Sequence, residues 1–315
     1  MATSGSTNLT ATATDIITEA LEQLGVLGEG ETPKTNALTS CNRTLNYLVK
    51  AWQMEGMNLF AMVRTYLFLE KNKNTYNLSS AGDHWTTTFY STQIATAAVA
   101  TDTTVDVDDD SNITDGDYIG IQCSDGTMHW TTVNGAPAAN TVTLTDALDA
   151  AVAVDAYVYN YTNKADQPLK IDRIIKRDTD NNDIPVGILS LEEYSRLTPK
   201  TTDGPVLQAY PDPQRTQLNL SVWPETDDVT DYLVCYTVRK LDDIDTVATD
   251  DVDYPAEWLL PLSLNLATLL IPKYGAPAVH ASFLSKLAKY WKEIAEGWDS
   301  EDGFSIQPAS QNNQD

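Results

Sequence analysis

The chain has 315 residues, and 42% of them are hydrophobic, which is enough to bury apolar cores and is not typical of a disordered polypeptide. Its 45 acidic residues outnumber its 20 basic residues, so the formal net charge is −25 at pH 7. A surface this acidic argues against a protein that binds nucleic acid by neutralising phosphates, and against one that adheres to anionic membranes.

Helical patterns open the chain. Apolar residues recur at helical spacing over residues 15–24, and Thr12 with Asp15 can form a capping box in front of them. A second apolar stripe runs through residues 33–55 and ends at Gly56. Two helices joined by a short loop are typical of an antiparallel hairpin that must pack on another part of the molecule.

The period of the pattern then changes to two. Apolar and polar residues alternate over residues 63–70, which predicts a strand, and further strands are predicted at 169–176, 218–223 and 232–238. Between them, residues 85–161 are rich in Thr, Ala and Asp and contain short β-like pieces. Hairpin signals separate these pieces at Asp115-Gly116, Asp125-Gly126 and Asn134-Gly135. We interpret this stretch as a small all-β module inserted into a host domain.

Helical patterns return at the C-terminal end. One helix is predicted to begin near Pro255 and to be broken by Pro272 and Gly275. Its apolar stripe consists of Leu259, Leu262, Leu266 and Leu269. The last helix is predicted to begin near Pro277, and its stripe consists of Phe283, Leu287, Trp291, Ile294 and Trp298. We expect the stripes from both ends of the chain to bury against each other.

Together these patterns predict an α+β fold. The N- and C-terminal helices form one helical bundle, accompanied by a β-sheet region and by the inserted small all-β module. The predicted parts are an N-terminal helical part (1–62), a β-sheet region (63–81 and 165–250), the inserted module (82–164), the C-terminal helices that pack with the N-terminal ones (251–298) and an extended C-terminal tail (299–315).

Metal and cofactor chemistry finds little support in the sequence. Asp178, Asp180 and Asn182 have the spacing that opens a calcium loop, but the sixth position is Asp183 instead of Gly and the twelfth is Leu189 instead of Glu. The three histidines, His84, His129 and His280, share no ligand-like spacing. The three cysteines, Cys41, Cys123 and Cys235, have no paired spacing and are predicted to be buried thiols. We expect no metal and no cofactor.

Catalysis is not indicated either. The sequence has no Gly-x-Ser-x-Gly elbow, no Walker loop and no dinucleotide fingerprint. Its many carboxylates leave an acid-type hydrolase open, because any acidic protein rich in strands offers such pairs. We expect a protein that is not an enzyme and has no catalytic residues.

The C-terminal region carries the residues that suggest binding. Apolar residues stand isolated in the polar tail beyond Trp298, as in a segment that folds onto a partner, although a frayed end gives the same pattern. Four lysines, Lys273, Lys286, Lys289 and Lys292, cluster locally in an otherwise acidic chain. They form either a solvated helix face or a contact for the acidic surface of a neighbouring subunit.

Several stretches, taken in their order along the chain, resemble a known family. They are residues 17–27, 48–59, 191–194, 199–201, 218–224 and 251–258, followed by Leu266-Ala267 and Tyr274-Gly275. In this order they resemble the head-to-tail adaptor proteins of tailed bacteriophages, also called tail accessory, connector or packaged-DNA-stabilisation proteins. The resemblance covers most of residues 14–80 and 165–298. Residues 82–164 exceed the compact family pattern and look like an insertion carried by larger members.

The resemblance implies a structural virion protein at the head–tail junction, made in the host cytoplasm. Such adaptors form a ring, commonly of twelve copies, with the portal protein above and tail nozzle or fibre proteins below. Duplex DNA passes through the channel without specific binding, and no membrane is involved. We assign portal binding to Trp298, Phe304, Ile306 and Pro308. We assign the subunit interface to Trp52, Lys286, Lys289 and Lys292, with core packing as the alternative for Trp52.

A second hypothesis places the function in the inserted module. Trp85 and Trp130 lie in its Thr-rich sequence, and we expect them to be exposed. In this alternative the module binds a carbohydrate or a receptor, or anchors tail fibres, and the helices serve as its mounting.

Overall fold

A computed structural model describes residues 9–56, 59–226, 228–246 and 249–298. The chain divides into two units. The first, the terminal unit, combines Met1–Ala61 with Leu241–Asp315, and the second, the central unit, is Met62–Lys240. No helix in the described ranges is both long and apolar enough to cross a membrane.

Five α-helices are described. They are α1 (Ala13–Gln23), α2 (Thr35–Glu55), α3 (Leu191–Arg196), α4 (Ala256–Tyr274) and α5 (Ala278–Trp298). The predicted capping box is confirmed, because the backbone N–H of Asp15 donates to the Thr12 hydroxyl while that of Thr12 donates to the Asp15 carboxylate. Gly56 ends α2 with a φ of 88°, a left-handed conformation that glycine adopts without steric cost.

The terminal unit is organised around α4. This helix is buried along several faces, and α1, α2 and α5 each pack against it. Trp258 on α4 is fully buried, with its ring centre 5.6 Å from that of Trp52 and 6.4 Å from that of Phe60. The irregular backbone before α4 is also part of this core, since Asn42 and Asn46 of α2 both donate to the carbonyl of Ile244.

Fourteen strands are described in the central unit. They are β1 (Met62–Phe68), β2 (Thr75–Leu78), β3 (Trp85–Thr86), β4 (Tyr90–Thr96), β5 (Thr104–Val107), β6 (Tyr118–Gln122), β7 (Met128–Thr132), β8 (Thr141–Thr143), β9 (Tyr157–Tyr161), β10 (Lys170–Arg177), β11 (Asp183–Ile188), β12 (Gln208–Pro213), β13 (Leu218–Trp223) and β14 (Tyr232–Val238).

Eight of these strands form one sheet in the order β2-β13-β12-β11-β10-β14-β1-β3. Neighbours are antiparallel except β11 and β12, which run parallel. One face of this sheet is a closed apolar core that includes Leu67, Tyr76, Ile174, Leu220 and Cys235. The other face bears Phe68, Tyr232 and Val234, the residues that alternate with the core positions along β1 and β14.

The other six strands form a sheet in the order β7-β6-β9-β4-β5-β8, which curls almost into a barrel. An isolated bridge between Val133 and Leu144 joins the ends of β7 and β8. The predicted turn at Asp125-Gly126 is confirmed, because it connects β6 to β7 with a φ of 80° at Gly126. By bringing the two edge strands together, the curl covers part of the edges that Thr-rich strands would otherwise present for aggregation.

Aromatic side chains join the two sheets inside the central unit. Phe68 of the larger sheet is buried among rings of the smaller one, with centre-to-centre distances of 5.1 Å to Tyr159 and 5.2 Å to Trp130. Gly120 lies under the Trp130 ring, where an added Cβ would come within 2.6 Å of the ring carbons. This glycine therefore allows the ring to pack directly on the strand.

The predicted fold class, an α+β fold built on one bundle of N- and C-terminal helices, is wrong. The described chain is mostly β-sheet, with two curled sheets and only five helices. The start of α1 is also tied to irregular backbone, since Ala13 donates to the carbonyl of Asp250 and Val252 donates to that of Ala11. Helical spacing does not reveal that helices pack together with irregular backbone. The prediction also underestimated how much of the chain forms short Thr-rich strands.

Two predicted helical stripes are also wrong in detail. Leu269 on α4 is exposed, as are Phe283 and Ile294 on α5. The buried face of α5 is instead formed by small or medium side chains, Leu284, Ala288 and Ala295. Pro272 does not break α4, which continues to Tyr274. Pro272 lies in the last turn of α4, and Gly275 follows the helix with a φ of 79°.

Candidate functional site

An exposed apolar stripe runs along α5. Val279, Phe283, Tyr290 and Ile294 recur at spacings of four and seven residues, so they lie on one side of the helix, away from the side that packs on α4. Phe283 is 59% exposed and Ile294 is 45% exposed. We call this stripe the outer face of α5. A contiguous row of large apolar side chains open to water is typical of a surface that contacts another protein.

Two of the predicted interface lysines flank this outer face. Lys286 and Lys289 are exposed, and Lys289 lies 3.7 Å from a carboxylate oxygen of Glu293 on the same helix. Their charges stay in solvent, where a pair of this kind contributes little to stability. They therefore place charged side chains along one edge of the apolar stripe, where Glu293 offsets the charge of Lys289.

The other two lysines of the predicted cluster hold helices together inside the terminal unit. Lys292 of α5 forms an ion pair with Glu55 of α2, and its ammonium group stands 5.4 Å from the centre of the Trp52 ring. Lys273 of α4 donates to the hydroxyl groups of Ser40 and Thr44 on α2. These two side chains bind within one copy of the protein.

The remaining predicted contact residues fall into two groups. Trp52 is 3% exposed and packs against Trp258 and Tyr254 within the terminal unit. Trp298 is the last residue of α5. The predicted portal-binding residues of the tail, Phe304, Ile306 and Pro308, lie outside the described residues.

A second candidate surface lies on the central unit and was not predicted from the sequence. Arg64 and Arg173 flank Tyr236 on one face of the larger sheet, and Arg177 lies on the same face further along β10. We call these four residues the arginine surface. It gathers three of the seven arginines of an acidic chain. The signal was hidden because Arg64 and Arg173 are more than one hundred residues apart and meet only through strand pairing.

The calcium-like spacing at Asp178 has a structural explanation. The Asp178 carboxylate accepts hydrogen bonds from the backbone N–H groups of Asp180 and Asn182 and from the Asn182 side chain. These bonds close the turn between β10 and β11 and lower the pKa of Asp178. Across the described ranges, no group of three or more His, Cys, Asp and Glu side chains is placed to hold a metal ion. Cys41, Cys123 and Cys235 are buried thiols, as predicted.

The inserted module does not present the tryptophans that motivated the carbohydrate hypothesis. Trp85 is fully buried in the core of the larger sheet, so its predicted exposure is wrong. Trp130 is half-buried and stacks on His84 with their ring centres 3.9 Å apart. The module instead has an open cleft of ≈ 300 Å³ beside the β6–β7 turn, lined by Gln122, Ser124 and Asp155 among others.

Burial controls the protonation of His84. Its Nδ1 atom lies 2.7 Å from the hydroxyl of Tyr161, and its ring lies between aromatic neighbours. Burial, followed by the nearby charges of Lys164 and Lys73, lowers the pKa of His84 to about 3. His84 is therefore a neutral, structural histidine at the contact between the two sheets.

Comparisons with known proteins add one partial likeness. No protein-family model matches the sequence, and no curated protein matches it in a sequence comparison. Among solved structures, the chain is similar to the Gp54 tailspike of Acinetobacter baumannii bacteriophage AP22 in complex with A. baumannii capsular saccharide, with 19% identity and a TM-score of 0.21. The match covers 23% of this chain and only 14% of the tailspike chain. At this TM-score the likeness says nothing about function.

Proposed function

We propose that the protein is a structural component of a bacteriophage particle, a ring-forming adaptor that joins the portal to the tail and extends the DNA channel. The ordered sequence motifs that resemble phage head-to-tail adaptors support this proposal. The structural observation that carries it is the outer face of α5, because a helix with four large exposed apolar side chains needs a partner that covers them.

The position of this face in the sequence strengthens the proposal. It lies on the last helix, directly before the segment 299–315 in which Phe304 and Ile306 are the proposed portal contacts. In a ring, the outer face of α5 contacts the next copy and Lys286 and Lys289 lie at the rim of that contact. A net charge of −25 per copy repels the phosphates of duplex DNA, so the DNA slides through the channel.

Reconstitution with the purified portal protein tests this proposal. We expect native mass spectrometry and electron microscopy to show a stoichiometric ring of the full chain on the portal. A variant with Phe283→Glu and Ile294→Glu places charge on the outer face of α5 and is expected to abolish ring formation. Its melting temperature is expected to stay within a few degrees of the parent value, since both side chains are exposed in one copy.

A matched control is Val99→Glu, which adds charge at a side chain that is 64% exposed in the inserted module. This variant should form rings like the parent protein. A second variant that lacks residues 299–315 should remain folded and attach more weakly to the portal. Rings that form on the portal despite the two glutamates on α5 would remove this face from the mechanism, and a parent chain that never assembles with the portal would refute the adaptor function.

A second candidate function is binding of a carbohydrate or receptor by the inserted module. The observation that favours it is the open cleft beside the β6–β7 turn, where exposed Val154 lies next to polar Gln122, Ser124 and Asp155. Polar groups beside an apolar side chain are common in sugar-binding sites. A glycan array with the full chain, compared with a Ser124→Trp variant that fills the cleft, separates this function from the adaptor function.

A further inference from the structure

We propose that the arginine surface binds an acidic segment of a second copy of this chain, residues 242–245. The inference rests on the proposed function in one respect, namely that several copies assemble side by side. It goes further because it assigns a charged contact to named residues on the central unit. In this contact, Arg64 and Arg173 of one copy bind Asp242 and Asp245 of the next copy.

Strand pairing builds the arginine surface. Tyr236 on β14 lies opposite Arg64 on β1 and opposite Arg173 on β10, so the three side chains form one row across the sheet. One step further along the same face, Tyr66 and Ile175 flank Val234, and in the next row Arg177 lies opposite Tyr232. The row with Arg64 and Arg173 is the most exposed, since Val234 and Tyr232 are buried under the smaller sheet.

A β-bulge fixes the direction of the β10 side chains. The register shifts between Ile171 and Arg173, so Asp172 is an extra residue in β10. As a result, Ile171 and Ile174 both face the core, although they are three residues apart. Lys170 and Arg173 then both lie on the outer face, because Lys170 pairs with Val238 and Arg173 with Tyr236. Lys170 pairs with the carboxylate of Asp172, the bulge residue, at 3.4 Å, so the bulge places an ion pair and no net charge beside the arginine row.

Two arginines of this surface have exposed guanidinium groups outside any salt bridge of the described chain, although the charge of Arg64 helps to lower the pKa of Asp183. Arg177 donates two hydrogen bonds to the Asp183 carboxylate, at 2.7 and 2.9 Å. Arg64 and Arg173, by contrast, form no salt bridge with any carboxylate of the described ranges. Their guanidinium carbons lie 5.6 Å and 5.2 Å from the centre of the Tyr236 ring, which holds both groups in place by cation–π attraction. Two oriented, exposed guanidinium groups therefore remain available for carboxylates.

An acidic segment of the same chain has matching spacing. Arg64 and Arg173 lie two strands apart, about 10 Å. Three residues of chain span at most about 10 Å, so Asp242 and Asp245 can reach the same separation. Both side chains are exposed in irregular backbone of the terminal unit, while Ile244 between them is buried. Within the part of the chain that the structure describes, their carboxylates form no hydrogen bond or salt bridge, whereas Asp243 between them pairs with Lys50 at 2.8 Å.

Charge complementarity favours a second copy over other occupants. Copies with a net charge of −25 repel each other, so a stable side-by-side contact needs a local region of opposite charge. The arginine surface supplies such a region and the 242–245 segment supplies its complement. A surface on one copy that meets a different surface on the next is a heterologous contact, and such contacts form a ring when the rotation from copy to copy closes.

A charge-swap experiment on the full chain tests the proposal. Association is measured by sedimentation velocity at low salt and at 0.5 M NaCl, and ring formation is measured on the portal protein. The basic variant carries Arg64→Glu and Arg173→Glu, the acidic variant carries Asp242→Lys and Asp245→Lys, and the swap variant carries all four changes. The matched control carries Arg196→Glu and Arg215→Glu, two exposed arginines of the same unit outside the arginine surface.

We expect the basic and acidic variants each to weaken self-association by about tenfold or more and the control to leave it unchanged. Added salt should also weaken the self-association of the parent protein, because ions screen exposed charges. The swap variant should recover association to within about threefold of the parent value, since it restores opposite charges across the contact. Recovery in the swap variant also shows that the basic and acidic variants lost a contact and not their fold.

Three outcomes overturn the inference. If both single-surface variants assemble like the parent, on the portal and in solution, the contact is absent while the adaptor function stands. If the parent forms no oligomer under any of these conditions, the adaptor function fails together with this inference. If the basic variant assembles normally but loses binding to polygalacturonate that the parent shows, the arginine surface belongs to an acidic saccharide.

Discussion

His84 shows how strongly a single side chain depends on its surroundings in this protein. It lies at the contact between the two sheets, where it stacks on Trp130 and shares a hydrogen bond with Tyr161. Because burial lowers its pKa to about 3, the ring stays neutral in the folded chain at pH values at which the unfolded chain would protonate it.

This difference predicts a loss of stability in acid. The folded pKa lies below the usual value of 6.5, so the unfolded state binds one more proton as the pH falls from about 6.5 towards 3. The free energy of unfolding should decrease over that range, by at most about 1.4 kcal/mol per pH unit for this one group. His84→Phe keeps an aromatic ring against Trp130 but removes the titration, so its unfolding free energy should fall less steeply.

Urea unfolding of the parent and His84→Phe at pH 7, 6 and 5 measures the difference in slope. The carboxylates are the same in both proteins, so their contributions to the pH dependence of the unfolding free energy cancel in the difference. In a separate measurement, the NMR signal of the His84 ring should not shift between pH 8 and 5. A titration midpoint near 6.5 for this ring would contradict the assignment of a buried, neutral imidazole.

At the level of elements, the contact between the two sheets depends on Phe68. Its side chain is 1% exposed and touches rings from the smaller sheet, including Tyr159 and Trp130, as well as Tyr232 beside it. Phe68→Ala would leave a cavity that these rings cannot fill and should lower the free energy of unfolding by about 3 to 5 kcal/mol.

Phe283→Ala provides a matched control for this prediction, because it is the same change at a side chain that is 59% exposed on α5. We expect an effect within about 0.5 kcal/mol there. Urea unfolding of both variants, followed by near-UV circular dichroism, gives the comparison. Similar losses from the two substitutions would mean that the ring cluster does not hold the sheets together.

The same elements show what the sequence could predict. The helix ends at Thr12 and Gly56 and the turn at Asp125-Gly126 depend on local chemistry, and these were predicted correctly. Which face of α5 is buried depends on its packing against α4, which covers Leu284, Ala288 and Ala295 and leaves Phe283 and Ile294 exposed. The spacing of apolar residues within α5 does not show which of its faces is buried.

Of the candidate sites, the sequence pointed to α5 and its lysines but could not show that Lys292 binds Glu55 while Lys286 stays exposed. The arginine surface was beyond reach for a different reason. It requires the pairing of β1 and β10 with β14 and the extra residue Asp172, and both are long-range features of the sheet.

For the whole molecule, the division into two units predicts that each folds without the other. The first residue of the central unit, Met62, lies opposite Val238 in the pairing of β1 with β14. The ends of the central unit are therefore strand neighbours, and excision of residues 62–240 cuts no strand pairing. The terminal unit can be closed by a short Gly-Ser link between residues 61 and 241, since both segments belong to that unit.

We expect the excised central unit to show dispersed amide NMR signals and a single cooperative thermal transition. The linked terminal unit should be helical by circular dichroism and should melt cooperatively. The matched control is an excision of residues 82–240, which lacks β1 and β2 and so removes Leu67 and Phe68 from the two apolar clusters. That shorter segment should not fold, because it loses a strand from within the eight-stranded sheet. An unfolded 62–240 segment would show that the central unit depends on the terminal unit, and a folded 82–240 segment would show that β1 and β2 are not needed for the central unit to fold.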